Sequence, residues 1–167
     1  QADCGMMDLM TIQGTAPSGR GISTIYFSSG GFGALAGQDS GDTVPGPSNM
    51  AVVPVEAWEA ITGMTVLEKR FVSDSGGPGA ARGGVGQVVH LRNDSGHPMT
   101  IFCMANRTEF PPVGYHGGMN GTMREHRING EIVHPKGSYV LQKGDTITLT
   151  QAGGGGIGDP RARDREK

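Results

Sequence analysis

The sequence predicts a mostly β fold of the α+β class, in which glycine-rich loops and antiparallel hairpins accompany one short helix. Three observations lead to this prediction. β-branched and aromatic residues recur in short alternating runs, which is typical of strands. Only one stretch has helical spacing, and glycine is unusually abundant. The predicted strands lie at residues 22–27, 64–72, 86–92, 99–105 and 146–150.

Glycine accounts for 30 of the 167 residues, about 18% of the chain where ~7% is usual. Aromatic residues make up only 5%. We therefore expect tight turns and close approach of backbone segments, more than large side chains, to shape the fold.

The strand at 22–27 leads into a glycine turn in which Gly31 to Ala36 match G-x-G-x-x-A, the spacing of a dinucleotide-binding turn. Such a turn has to open a helix whose N-terminus faces the phosphates. Gly37, Gly41 and Pro45 interrupt any helix here. A structural glycine corner is the favoured interpretation, and a nucleotide site is the alternative.

One short helix is predicted within residues 49–61, entered through Pro54, whose missing amide hydrogen costs nothing in the first turn. Glu56 and Glu59 share one face of this helix, where ordinary solvated surface is the commoner role of an acidic pair. The residues that share the apolar face are Val55, Trp58 and the Ile61/Thr62 region.

Beyond the helix the pattern is almost purely β. Strands 86–92 and 99–105 flank a turn and are predicted to form a hairpin, and Asn129-Gly130 predicts another within 127–134. The segments we expect are a glycine-turn and short-helix segment (1–63), a β-rich C-terminal module (64–160) and an exposed charged tail (161–167).

Charge and cysteine content narrow the class of protein. A net charge of -2 and a pI of about 6.2 give no electrostatic footprint for nucleic acid or for an anionic membrane. No apolar run approaches the roughly 18 residues that span a bilayer. Cys4 and Cys103 match no metal or redox spacing, so we expect free thiols and a cytoplasmic location.

Because Gln1 opens the chain, a processed product, a fragment or a piece of a split protein is expected.

Residues 73–78 contain Asp-Ser-Gly-Gly-Pro, the run around the nucleophile of trypsin-like proteases. All 5 histidines follow Ser75, which excludes the trypsin and subtilisin chain orders. The serine-first order needs a G-x-S-x-G elbow that opens a helix, whereas Pro78 stands where that helix would begin. Ser75 is therefore not predicted to be a nucleophile.

Other candidate sites have structural alternatives. Arg82 can hold a carboxylate or phosphate with its planar fork, but pairing with Asp74 to fix the loop is favoured. His116 lies in a glycine-rich loop, where a plain surface imidazole is commoner. The run 153–156 is interpreted as close backbone packing, not an anion nest, because no P-loop Lys-Ser or Lys-Thr pair follows. No metal-ligand spacing occurs.

Four sequence blocks together resemble the C-terminal part of the hydantoinase B subunit family, which includes the matching half of oxoprolinases and a subunit of acetone and acetophenone carboxylases. GGFGALAGQDSGD is also similar to that family's GG-x-GA-x-x-x-x-DG segment, with Ser40 inserted before the expected glycine. The resemblance extends over nearly the whole chain from about Gly30. The blocks are PVEAWE, SDSGGPGAARGGVGQVV, PPVGYHGGMNG and KGDTITLTQAGGGGIGDPRARD.

The resemblance implies ATP-dependent chemistry on a small-molecule amide or ketone. A hydantoinase A-like partner subunit is expected to bind ATP and Mg and to phosphorylate a carbonyl oxygen. The B subunit then completes the hydrolysis or carboxylation with a divalent metal (Zn, Mn or Fe), bound mainly by an N-terminal half that this chain lacks. A chain that carries this half is a second expected partner.

The expected function is therefore the C-terminal portion of a hydantoinase B-like subunit of an ATP-dependent amidohydrolase that opens cyclic amides, with the isolated chain inactive. A ketone carboxylase subunit and a non-catalytic docking module are the alternatives. The residues in the motif blocks that become candidates are Asp74, Arg82, Glu56 and Glu59 for catalysis, and Ser75 and His116 for substrate binding.

Overall fold

The computed structural model describes residues 3–5, 7–45 and 53–163 and confirms the mostly β, α+β class. One helix, α1 (Val55–Thr62), lies between the second and third strands. In chain order the strands are β1 (Asp8–Thr15), β2 (Gly21–Ser28), β3 (Met64–Phe71), β4 (Gln87–Asn93), β5 (Met99–Met104), β6 (Glu125–Ile128), β7 (Glu131–Ile132), β8 (Lys136–Leu141) and β9 (Thr146–Thr150).

These strands form two antiparallel sheets that share one hydrophobic core. The first sheet has the order β2-β1-β5-β8 and the second has the order β3-β4-β9-β6-β7. Alternate residues of each strand face the core: Met10 and Ile101 come from the first sheet, and Leu91 and Ile147 come from the second. All four are fully buried, and burial of each such side chain stabilises the fold by about 1.5–3 kcal/mol.

The hairpin predicted for 86–92 and 99–105 is wrong. β4 pairs with β3 and β9, whereas β5 pairs with β1 and β8 in the other sheet. The chain changes sheets at a corner where buried Asn93 donates from Nδ2 to the carbonyl oxygens of His97 and Leu141, each at 2.9 Å. Alternation identifies the core-facing residues but not the neighbouring strand, so it does not distinguish a hairpin from a crossing between sheets.

The predicted strands that became β2, β3, β4, β5 and β9 are confirmed, but β1 and β8 were not predicted. β1 lies between β2 and β5 and forms ladders with both, so tertiary pairing compensates for its weak local strand signal. Since β1 pairs with β5, the predicted segments 1–63 and 64–160 share a sheet. The Asn129-Gly130 hairpin is confirmed, with φ angles of 50° and 84° at the turn between β6 and β7.

Helix α1 occupies the end of the predicted helix, with Pro54 as its N-cap and Gly63 in the left-handed conformation at its C-cap. Residues 49–52 of the prediction lie outside the described residues. The predicted apolar face is partly corrected, because Ile61 is 56% exposed while Trp58 and Thr62 are buried. The hydroxyl of Thr62 donates to the Trp58 carbonyl at 2.8 Å. This hydrogen bond satisfies the hydroxyl, so a polar residue can be buried at the end of the helix face.

Four glycine-rich segments lie side by side at the end of the two sheets where β4 and β6 begin and β9 ends. We call residues 30–34, 75–86, 112–121 and 152–158 the glycine bundle. Many backbone hydrogen bonds connect different segments of the bundle. They include Gly154 N to Gly84 O (2.9 Å), Gly156 N to Met119 O (3.0 Å) and Ala34 N to Gly155 O (2.9 Å).

The central segment of the bundle is the run Gly153 to Gly156, and each of its residues faces the backbone of another segment. The carbonyl groups nearest to an added Cβ are those of Ser75 for Gly153, Phe32 for Gly154, Val113 for Gly155 and Pro78 for Gly156. The fourth residue thus returns to the segment that the first one faces. This three-residue period is that of a polyproline II helix, and the predicted close backbone packing is confirmed.

The glycine turn at Gly31 to Ala36 belongs to this bundle. Leu35 bridges back to Gln38, and the described residues from the turn as far as residue 45 contain no helix. The structural-corner interpretation therefore fits, and the nucleotide-binding alternative lacks the helix that it requires.

The beginning of the charged tail is bound to the glycine bundle's neighbouring loop. Arg163 donates from Nη1 and Nη2 to Oδ1 and Oδ2 of Asp39, at 2.7 and 2.6 Å. This bidentate geometry is the strong form of an arginine–carboxylate pair. Residues 164–167 of the predicted exposed tail lie outside the described residues.

Gly154→Ala should destabilise the fold strongly, because the added methyl group would lie 1.9 Å from the carbonyl oxygen of Phe32. We expect a loss of at least about 3 kcal/mol, the upper range for overpacking. The check is the urea midpoint of unfolding. The matched control is Gly21→Ala, where no atom lies within 4 Å of the new Cβ and the midpoint should stay or rise slightly. Equal midpoints for the two variants would contradict the packing argument.

Asp39→Asn should remove a pH-dependent part of the stability. The hydrogen bond from Arg163 holds the pKa of Asp39 at about 2, below its usual 3.8. Because the folded-state pKa is lowered, the pair stabilises the fold above pH 4 and this stabilisation is lost as the pH falls towards 2. The effect is small, since both side chains are partly exposed. Urea midpoints of the parent chain and the variant should converge between these pH values and stay apart above them.

Candidate functional site

Ser75 fixes the loop between β3 and β4 from the inside. It is 1% exposed, and its hydroxyl donates to the Val72 carbonyl (2.7 Å) while it accepts from Gly86 N (2.8 Å). Its own carbonyl accepts from Thr122 N at 2.9 Å. The side chain is therefore occupied by backbone partners on both sides of the loop, and in this conformation it does not reach solvent.

Asp74 and Arg82 lie close together on the outside of the same loop. Arg82 Nη2 is 3.7 Å from Asp74 Oδ1, and the two side chains are 40% and 97% exposed. That distance exceeds a good hydrogen bond, so the pairing is loose. The backbone of Arg82 is held firmly, because its N–H donates to Asp39 Oδ1 (2.8 Å) and its carbonyl accepts from Ser40 (2.9 Å). A fixed backbone with an accessible guanidinium is suited to binding an anion.

His116 lies on the neighbouring loop of the bundle and is exposed. Its φ angle of 49° places it in the left-handed region, and its ring meets Tyr115 edge-on with the centroids 4.5 Å apart. Ile157 forms a bridge with Tyr115 and another with Ala81. The loops that carry His116 and Arg82 thus border the same residue, and we call Asp74, Arg82 and His116 the exposed end of the bundle.

The two glutamates of α1 lie elsewhere. Glu59 Oε1 accepts from the backbone N–H of Val66 at 2.7 Å and so fastens the helix to β3. Glu56 is exposed. Because β3 runs away from α1 towards the glycine loop, the structure does not bring these carboxylates to the exposed end of the bundle.

A buried polar cluster that the sequence did not reveal connects the two sheets. Oδ2 of Asp8 on β1 lies 2.6 Å from Nε2 of His126 on β6 and 2.8 Å from Nε2 of Gln151, which follows β9. Neither the Asp8 nor the His126 side chain is exposed. Arg124, 2% exposed, completes the cluster and donates to Asn106 Oδ1 at 3.0 Å.

The environment of this cluster shifts the pKa of several groups. Burial favours a raised pKa for Asp8, but hydrogen bonds from His126 and Gln151 and the charge of Arg124 outweigh it, so its pKa is lowered. Burial and the nearby Asp8 carboxylate raise the pKa of the Cys103 thiol to about 12. Burial also raises the pKa of Cys4. Both cysteines are free thiols, as predicted, and both are buried and protonated at neutral pH.

Asp8, His126 and Gln151 are far apart in sequence, which explains why no motif indicates the cluster. Asp8 opens a strand that the local pattern does not predict. His126 is one of five histidines, and no motif distinguishes it from the others. The one available signal was the alternation of β6, which directs His126 and Ile128 to the same side.

The described residues hold no group of three or more His, Cys, Asp and Glu side chains placed to bind a metal ion. In that same part of the chain, no helix is both long enough and apolar enough to cross a membrane.

Ser75→Ala should lower the free energy of unfolding by about 1–3 kcal/mol, because the buried N–H of Gly86 loses its acceptor. Urea unfolding measures this loss. Ser23→Ala, at an exposed position of β2, is the control and should change stability by less than about 0.5 kcal/mol. A variant that unfolds like the parent chain but loses turnover would instead give Ser75 a direct role in the reaction.

Comparisons with known proteins place these features in a family. The chain matches the family model for hydantoinase B/oxoprolinase over residues 1–160. The caprolactamase beta subunit of Pseudomonas jessenii is 32% identical over 109 residues, which are 59% of this chain and 19% of that protein. An uncharacterized Methanocaldococcus jannaschii protein is 32% identical over 117 residues, 66% of this chain and 20% of that protein. The chain thus spans about a fifth of the length of these relatives.

Two solved structures have the same fold. The ATP-dependent caprolactamase from Pseudomonas jessenii superposes with a TM-score of 0.80 and 18% identity, over 95% of this chain and 30% of that one. Nucleotide-free acetone carboxylase gives a TM-score of 0.72 and 17% identity, over 95% of this chain and 26% of that one. The family model covers almost the entire sequence, and on that match the chain belongs to the hydantoinase B/oxoprolinase family.

Proposed function

We propose that the chain is the C-terminal portion of a hydantoinase B-type subunit in an ATP-dependent amidohydrolase that opens cyclic amides. The observation that carries this proposal is the likeness to caprolactamase. Its beta subunit is 32% identical to the chain over the matched residues, and the caprolactamase structure superposes with a TM-score of 0.80. Acetone carboxylase gives the lower TM-score of 0.72, so ketone carboxylation is the second candidate.

ATP dependence follows from the chemistry of the substrate class. An amide carbonyl is a poor electrophile, and its nitrogen is a poor leaving group. Phosphoryl transfer from ATP to the carbonyl oxygen activates the carbon for attack by water. The tetrahedral intermediate then breaks its C–N bond, with a proton passing to the nitrogen, which opens the ring and leaves an acyl phosphate. A second water releases inorganic phosphate and the ring-opened acid. In the proposed complex a hydantoinase A-type subunit binds ATP and Mg and makes this transfer, which requires electrostatic positioning of the phosphates.

The exposed end of the bundle is the part of this chain that we propose to face the reaction. Arg82 offers an accessible guanidinium on a fixed backbone, which suits a carboxylate or phosphate group. Asp74 is exposed beside it, and His116 is exposed on the loop that borders the same residue, Ile157. We propose that these three groups bind and orient the substrate or its phosphorylated form.

The other candidates support a scaffold role. Ser75 and Glu59 use their side-chain oxygens on backbone N–H groups of the module itself. Glu56 is exposed and stays a candidate general base.

The divalent metal does not fit the described residues, which hold no cluster of potential ligands. In the proposed complex the N-terminal half of a hydantoinase B-type subunit binds it. Use of ATP agrees with a cytoplasmic location.

The test is ATP consumption by the assembled complex with two kinds of substrate. We expect ATP hydrolysis and ring opening with a cyclic amide such as caprolactam, without any need for bicarbonate. Consumption that requires both a ketone and bicarbonate would instead establish the carboxylase alternative.

Arg82→Ala in the same complex should reduce turnover at least about tenfold, the effect of losing 1.4 kcal/mol of transition-state stabilisation, with the urea midpoint unchanged. Arg20→Ala, at an exposed turn, is the control. Glu56→Gln and Glu59→Gln separate the two helix carboxylates, since glutamine keeps an oxygen acceptor for Val66. Full turnover in all these variants would favour the docking-module alternative.

A further inference from the structure

Part of the outward side of the first sheet is unusually apolar. Since the core takes alternate residues, the remaining side chains of each strand point outward. Strand pairing aligns them in rows across β2, β1 and β5. Two neighbouring rows are mostly apolar, namely Phe27–Leu9–Met104 and Ile25–Thr11–Phe102, and the next row, Ser23–Gln13–Thr100, is polar. Thr11 is the one polar member of the two apolar rows, and we call their other five residues the apolar outer face.

These side chains are accessible in the isolated chain. Ile25, Phe102 and Met104 are 45%, 44% and 45% exposed, and Leu9 and Phe27 are half-buried. On β8 the rows continue into Ser138 and Lys136. The face therefore has an apolar centre with a polar border, which is typical of a protein interaction site.

The second sheet shows that this is not a general property of the sandwich. Its outward rows contain threonines and charged residues. One row is Glu68–His90–Thr148–Arg127 and another is Thr65–Arg92–Thr146. An antiparallel sheet that faces water normally has this composition. Within one module, then, the second sheet has outward rows of a composition that suits contact with water, whereas the first sheet has two neighbouring rows that are mostly apolar.

The shape of the first sheet also suits a partner. A depression of about 360 Å³ lies in the outer face, lined by Thr11, Gln13, Thr100, Phe102 and Ser138. A side chain from a covering segment would fill it. Lys136 is the one charged side chain among the residues that these two rows align, so the occupant is selected by apolar contact rather than by charge.

The length of the neighbouring structures indicates the occupant. They match 95% of this chain with only 30% and 26% of their own, so most of each neighbour's polypeptide lies outside the shared module. We propose that the apolar outer face is covered, in the assembled subunit, by an apolar face of the remaining hydantoinase B-type polypeptide. This inference rests on the proposed function and names the surface through which the module joins the subunit.

Thiol labelling of the assembled subunit tests the proposal. Phe102→Cys places a thiol on the apolar outer face, and Glu68→Cys places one on the outer face of the second sheet. Phe102 is 44% exposed as a whole residue and the side chain of Glu68 is 43% exposed, so both positions are accessible in the isolated chain. The native Cys4 and Cys103 are buried and give little background.

We expect maleimide to label Phe102→Cys at least about tenfold more slowly than Glu68→Cys in the assembled subunit, because labelling needs a local opening of the interface. In denaturant the two rates should be equal. Equal rates in the folded assembly would overturn the proposal. Protection of Phe102→Cys in the 167-residue chain alone, rising with its concentration, would also overturn it by making a second copy the occupant.

A second experiment measures association between the chain and the remainder of the subunit, which is expressed separately. Size exclusion followed by light scattering detects the complex. Phe102→Arg should weaken association with the 167-residue chain, while Thr148→Arg on the opposite face should not, with circular dichroism confirming that both variants fold. Unchanged association for Phe102→Arg would overturn the proposal. Turnover of a cyclic amide together with free labelling of Phe102→Cys would refute this interface alone, whereas protection without turnover would refute the proposed function alone.

Discussion

The fold depends on the contact between the run Gly153 to Gly156 and the three backbones around it. Each of these residues has a carbonyl group where a Cβ would stand, and none of the four has a positive φ. Glycine is required there for space, not for backbone conformation. The two sheets end at this bundle, and the loops with Asp74, Arg82 and His116 extend from it, so main-chain packing sets the positions of these three exposed candidate residues.

The same constraint explains what the sequence motifs report. SDSGGPGAARGG and TQAGGGG identify the family, but their glycines and Ser75 build the bundle. The most recognisable motifs of this protein therefore report how its backbone segments pack, more than which residues take part in a reaction. Arg82 is different, because its side chain leaves the loop while its backbone is held by Asp39 and Ser40. Its main chain has a structural role, whereas its charged side chain is accessible for binding.

Much of the architecture could be predicted from local pattern, and the failures have a common cause. Alternation located β3, β4, β5 and β9, and Asn129-Gly130 located a turn through its positive φ preference. Pairing between distant strands has no local signal, so β1 was missed and β4 was paired wrongly. The buried polar cluster was missed for the same reason, since Asp8, His126 and Gln151 meet only after three strands have assembled.

The order of the bundle segments along the chain has a consequence for how the protein folds. The central run comes last, after residues 30–34, 75–86 and 112–121, which all contact it. A chain emerging from the ribosome would hold three outer segments without the axis around which they pack. Such a topology has a high contact order and folds slowly. The bundle would stay open until the tetraglycine has been synthesised, and a truncation just before it would leave residues 30–34, 75–86 and 112–121 without the backbone around which they pack.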